Sequence, residues 1–187
     1  MSRTAWAGAS VAALGMLLAA YPASSAVTVF GGDQAQACYQ AAKYGDPTRT
    51  GLGDCTLAIE STPLSLDDLA GTYVNRGVVH MLHEQFRLAQ ADFDSALQLK
   101  ANLGEAYVNR GAALIALHRY AEGIADIDRG LPLAPEEPEK AYYNRALADE
   151  ALDNIKAAYL DYLKAVQLKP TWAPPQAELA RFTVRQP

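Results

Sequence analysis

Three polar residues recur in register along this chain, and any chemistry it performs would sit on them. They are Asn75, Asn109 and Asn144, each followed directly by an arginine (Arg76, Arg110, Arg145), with Asp92, Asp126 and Asp161 farther along. A carboxamide is donor and acceptor at once, so a row of them can hydrogen-bond the main chain of an extended peptide irrespective of its side chains. The alternative is that asparagine merely belongs to a local consensus and is solvated. The arginines and aspartates read as internal ion pairs, which specify geometry more than they add stability; the competing reading turns the arginines toward a ligand. Catalytic groups are thin. His80, His83 and Glu84 place two imidazoles three residues apart, short of the ligand set that zinc requires. His80 therefore reads as a packed residue and His83 as an exposed one beside a turn. No nucleophile elbow, phosphate-binding loop or HExxH run occurs, and Glu136, Glu137 and Glu139 form a solvated acidic edge. The expectation is a protein without catalysis, metal or cofactor.

The composition limits the partners. Of 187 residues, 50% are hydrophobic and 20% charged, and 16 Lys and Arg against 21 Asp and Glu leave a net charge of −5. Nucleic acid and anionic lipid both select a basic footprint, so neither is the expected partner. An acidic chain this apolar buries too much to stay disordered.

Residues 1–26 read as a secretory leader. Thr4 to Gly32 carries no charge, Arg3 precedes it, and Ala5 to Ala20 forms an apolar core ended by Pro22. Ser24 and Ala26 supply the small residues that place a cut before Val27. The alternative, an uncleaved anchor, has a core short of the roughly 20 residues a membrane span needs. The mature chain is expected in the periplasm, or secreted as second choice, with no insertion in the membrane. In an oxidising compartment Cys38 and Cys55 read as a disulfide, closing a loop worth about 3 kcal/mol; two buried thiols are the alternative. There is no CxxC spacing to suggest redox chemistry.

Helices have to position these rows, and the spacing says how. Thr72–Gly77 (TYVNRG), Ala106–Gly111 (AYVNRG) and Ala141–Ala146 (AYYNRA) lie 34 and 35 residues apart, each with a second matched stretch: Ala91–Leu99, Ala125–Leu133 and Leu160–Leu168. This pattern resembles the tetratricopeptide repeat. With Ala70, Gly104 and Glu139 as position 1, the aromatic at 4 is Tyr73, Tyr107 and Tyr142. The small residue at 8 is Gly77, Gly111 and Ala146; the one at 20 is Ala89, Gly123 and Ala158; the one at 27 is Ala96, Gly130 and Ala165. Position 24 holds Phe93, Ile127 and Tyr162. The resemblance implies an all-α fold, a right-handed α-solenoid of antiparallel helix pairs in which small residues allow close approach. Repeats are expected at 70–103, 104–138 and 139–172. A degenerate pair fills 27–68, with Cys38 and Cys55 on facing helices, and a capping helix with its tail fills 173–187 through Leu179 and Phe182. Pro132 should end the second helix of the middle repeat near Gly130, and glycine at both 20 and 27 should make that repeat the loosest.

In this family the inner wall is built from positions 2, 5, 6, 9, 12 and 13 of each first helix. The resemblance therefore puts Asn75, Asn109 and Asn144 on the wall as an amide ladder, with Val74, Val108 and Tyr143 at position 5, Val78 and Leu147 at 9, and Lys140 at 2. The variety of wall that grips a C-terminal carboxylate wants Lys or Arg at 5 and 9, which this chain lacks. The resemblance thus implies a non-catalytic scaffold or adaptor of the cell envelope that binds an extended, apolar protein segment in its concave groove. The alternative is a structural subunit docking through convex or capping surfaces.

Overall fold

The structure is a computed structural model describing residues 26–45 and 49–182. Residues 1–25 of the expected leader and most of the turn after Tyr44 lie outside the described residues, as does the end of the tail. The described residues are helical, with no strand among them. Helices α1 (Gly32–Tyr44) and α2 (Arg49–Ser61) form the first pair. Next come α3 (Leu66–Leu82) with α4 (Phe86–Leu99), then α5 (Gly104–Ala116) with α6 (Tyr120–Gly130). Last are α7 (Pro138–Ala151) with α8 (Ile155–Leu168), and a terminal α9 (Ala173–Leu179). Each helix packs antiparallel on the one before it and against the next pair, which makes a solenoid. Among the described residues no helix is long and apolar enough to cross a membrane.

Helix α3 starts at a serine cap. The Ser65 hydroxyl accepts the Asp68 N–H at 3.1 Å and donates to the Asp68 carboxylate at 2.7 Å, satisfying an orphan donor of α3. The turn inside each later pair is the same turn three times. Glu84, His118 and Asp153, all at position 15, take positive φ of 58°, 60° and 62°. The next residue's N–H (Gln85, Arg119, Asn154) then reaches back to the carbonyl of His80, Leu114 or Asp149 at 2.8–2.9 Å. A left-handed residue ends one helix and aims the chain into the next.

Packing inside each pair is set by position 24. Phe93, Ile127 and Tyr162 are fully buried, and so are Ala89, Ala96, Ala158 and Ala165 around them. A Cβ on Gly77 would lie 2.5 Å from the Phe93 ring. In the middle repeat a Cβ on Gly111 would meet the Gly123 carbonyl oxygen at 2.8 Å, and one on Gly123 would meet the Gly111 carbonyl oxygen at the same distance. The middle glycines thus serve close approach of α5 and α6 rather than the looseness their number suggests. Helix α6 does end at Gly130, and Leu131–Leu133 follow as a 3-10 turn through Pro132. The capping helix is shorter than expected. It stops at Leu179, and Phe182 beyond it packs 5.6 Å from Tyr159 and 5.9 Å from Tyr162, ring centre to ring centre.

These distances separate two glycine substitutions. Gly111→Ala should lower the stability read from urea unfolding by about 1–3 kcal/mol, the cost of overpacking a fixed crossing. Gly53→Ala, in α2 with nothing near its Cβ position, should raise it by up to about 1 kcal/mol through helix propensity.

Candidate functional site

The inner wall is carried by α3, α5 and α7, and in this structure it is covered. Val74, Val78, Val108, Asn75, Asn109 and Asn144 have no exposed surface, and Leu147 and Tyr143 have 3% and 4%. Over α3 the cover comes from the chain's own residues on the amino-terminal side of α2. Helix α1 packs directly on α3, and the stretch Ala26–Phe30 runs extended along the same face. The main chain of Val27 meets Asn75 twice: its N–H donates to Oδ1 and its carbonyl accepts from Nδ2, both at 2.8 Å. Farther on, the Phe30 N–H donates to Asp68 Oδ1 at 2.9 Å. That bond, with a second from Ser65, holds the Asp68 carboxyl below its usual range.

The other two asparagines sit in equivalent places with different surroundings. Asn109 is fully buried, yet neither its Nδ2 nor its Oδ1 has a hydrogen-bond partner. A buried amide left unmet costs about 1–3 kcal/mol per polar group. Asn144 occupies the same register on α7, where Tyr143 packs 5.2 Å from Trp172 and 5.6 Å from Tyr162. Lys140 at the start of α7 donates to Glu137 at 2.7 Å. It lines a cleft of about 250 Å³ together with Ala26, Lys43, Tyr44, Glu136 and Glu137. The end of α1 therefore lies over the start of α7, across the hollow of the solenoid. Lys43 donates to the Tyr39 hydroxyl at 2.7 Å, and that bond, with another from Thr28, lowers the Tyr39 pKa.

The arginines face away from this wall. Arg76 grips Asp92 with two parallel bonds of 2.9 and 2.7 Å. Arg110 grips Asp126 at 2.6 and 2.8 Å, and Arg145 grips Asp161 at 2.6 and 2.9 Å. The remaining nitrogen of each guanidinium reaches the preceding repeat: Arg110 to Asp94 at 2.6 Å, Arg145 to Asp128 at 2.5 Å, and Arg76 to the Thr56 hydroxyl at 3.4 Å. Each guanidinium also lies over the tyrosine three residues before it, at 5.5, 5.5 and 5.3 Å. Bonding to the carboxylates raises the pKa of all three arginines. Asp94 and Asp128, at position 25, do not stand out in the sequence, although the paired acids of Ala-Asp-Phe-Asp and Ala-Asp-Ile-Asp are a signal for them. The strap residues Val27 and Val29 do not stand out either; their signal is the two-residue alternation of Val27–Phe30 in an otherwise helical chain.

Cys38 and Cys55 form a disulfide, fully buried between α1 and α2. His80 Nδ1 lies 2.7 Å from Gln85 Oε1 and its Nε2 3.6 Å from Asp92. Among the described residues no cluster of His, Cys, Asp and Glu is arranged to hold a metal ion.

The tetratricopeptide-repeat family model matches residues 139–171. The ER protein translocation subcomplex subunit sec67 of Schizosaccharomyces pombe is 33% identical over 98 residues, 51% of this chain and 50% of that protein, so the chain spans about half the length of this relative. Among solved structures, the TPR domain of Arabidopsis OM64 superposes with a TM-score of 0.59 at 22% identity, over 63% of this chain and 96% of that one. The first TPR of Spaghetti (RPAP3), bound to the HSP90 peptide SRMEEVD, does so with a TM-score of 0.56 at 21% identity, over 60% and 88%. The likeness to these structures is one of fold.

The arginine forks predict an asymmetric pair of substitutions. Asp126 has 7% of its side chain exposed and Asp94 41%. Asp126→Asn should cost about 3 kcal/mol in a urea melt by stranding a half-buried charge, and Asp94→Asn no more than about 1 kcal/mol. Equal losses would mean that the contact between repeats carries as much as the one within them.

Proposed function

The chain is built of tetratricopeptide repeats, and from that premise we propose that it is an exported, non-catalytic interaction module of the cell envelope that binds an extended segment of a partner protein along its inner asparagine row. The observation that carries this reading is Asn109: a fully buried carboxamide at the centre of the wall, with donor and acceptor both unmet. Asn75 supports it by holding a main chain through both of its amide atoms. The wall between the rungs is aliphatic, with Val74, Val78, Val108 and Leu147, and the cation at its position 2, Lys140, is paired with Glu137. Such a surface suits an apolar stretch recognised through its backbone rather than an acidic C-terminus held by charge. That differs from what an HSP90 tail such as SRMEEVD presents. The envelope assignment is supported by the leader-like run before Val27 and by the buried disulfide, a bond that persists in oxidising compartments.

The test reads which surface is used. A photo-crosslinking residue replacing Ala116 on α5 should capture a partner in living cells, and one replacing Leu160, exposed on α8, should not. With the captured segment made as a peptide, Asn109→Ala should weaken its binding roughly tenfold, the worth of one backbone hydrogen-bond pair. Crosslinks confined to Leu160 would move the function to the outer surface and leave the amide row as a feature of packing.

A further inference from the structure

We infer that Val27–Phe30 is the groove's own ligand: the stretch takes the first rung of the amide row and shuts out an incoming segment until it is displaced. This rests on the row being a peptide-binding wall, and it adds the regulation of that wall. The contact has the form expected of a bound peptide. One amide, Asn75, satisfies the donor and the acceptor of one residue, Val27, and no side chain of the segment takes part in those bonds. The segment is extended with a two-residue period. Val29 points inward and is fully buried, Val27 is partly so, and Thr28 and Phe30 face outward, Phe30 with 89% of its surface exposed. Asp68 fixes the far end through the Phe30 N–H.

The first repeat is shaped for this occupant and the others are not. Position 2 of the wall is Gly71 in the first repeat, where the next two have Glu105 and Lys140. A Cβ at Gly71 would come within 2.9 Å of the Cγ1 atoms of both Val27 and Val29, so the close seat of the strap depends on the missing side chain. The tether is short. Gly31 and Gly32 lead straight into α1, with Gly32 at φ 71°, and the disulfide fastens α1 to α2. A short tether keeps the strap at a high effective concentration over Asn75. Two inward valines, three main-chain hydrogen bonds and the Thr28 bond to Tyr39 are set against the ordering of four residues, and that small balance leaves the strap displaceable. A ligand competing for the rung has its apparent affinity reduced by the fraction of chains whose strap is away.

The probe is a fluorescein-labelled hexapeptide of the strap itself, Ala-Val-Thr-Val-Phe-Gly, titrated into the full chain and followed by fluorescence anisotropy. Wild type should bind it at least tenfold more weakly than Val29→Asp, whose own strap is ejected, and adding Asn75→Ala to that variant should abolish the gain. Equal binding by wild type and Val29→Asp, or binding by neither, overturns the inference. Either result stands whichever surface yields the in-cell crosslinks, so the two readings fail separately. If Val29→Asp does not fold, amide hydrogen exchange decides. In wild type the Phe30 N–H, bonded to Asp68, should be protected, and Asn75→Ala should speed its exchange at least tenfold while Val79 in α3 stays unchanged. Exchange of Phe30 in wild type at the rate of an unstructured chain overturns the inference.

Discussion

The stack depends on one side chain used three times, the arginine at position 7. Its guanidinium is partly buried, and each of its three nitrogens takes a partner. Two go to the aspartate at position 23 of the same repeat, fixing the angle between the two helices of a pair. The third goes to position 25 of the preceding repeat, fixing the angle between pairs. Because the fork is planar and its hydrogens are rigidly placed, one residue sets both angles. The tyrosine three residues earlier closes the remaining face. At either end of the stack the pattern changes accordingly. Thr56 stands in for the acid at the amino-terminal pair. Leu163 takes position 25 of the last repeat, where the aromatic contacts of Tyr159, Tyr162 and Phe182 close the core instead of another arginine.

With the angles fixed, the asparagines one residue earlier come into register without any contact among themselves. The row on the wall and the fork behind it are therefore one design: Asn-Arg places a carboxamide on the inner face and a clamp on the other side of the same helical turn. The glycines and alanines at positions 8, 20 and 27 serve the same end. They let each pair approach until the buried residue at position 24 touches the helix opposite.

Much of this was legible in the amino acids. The 34-residue spacing placed the helix pairs, and a buried Cys38 facing Cys55 followed from aligning a degenerate pair with the clear repeats. Four things were not legible, each for a physical reason. The left-handed residue in every inter-helix turn is Glu84, His118 or Asp153, none of them the glycine or asparagine that ordinarily marks such a φ; the backbone bond across the turn enforces it. The second carboxylate of the forks was hidden because a repeat read by itself has no neighbour to reach. The fate of Val27–Phe30 was hidden because a short extended run has no helical period, and only the assembled wall shows where its valines go. The short capping helix has the same origin: Phe182 is needed by the core of the last repeat, and the chain reaches it through a turn rather than by helical continuation.

The strap also explains a cost that the wall would otherwise carry. An inner face of valines with a row of carboxamides is poorly served by water, since burying each aliphatic side chain is worth about 1.5–3 kcal/mol. Covering α3 with α1 and the strap relieves that exposure over the first repeat. Ordering four residues costs about 1–2 kcal/mol each in backbone entropy alone, comparable to what Val27, Val29, three main-chain hydrogen bonds and the Thr28 bond to Tyr39 return. The strap by itself would sit near balance. What tips it is the covalent neighbourhood: α1 is held to α2 by the disulfide and lies on α3, so only the residues ahead of Gly32 must be ordered anew for the strap to close. The disulfide thus acts on the groove from a distance. Breaking it would free α1, lengthen the tether and lower the local concentration of the strap over Asn75, with no atom of the groove itself altered.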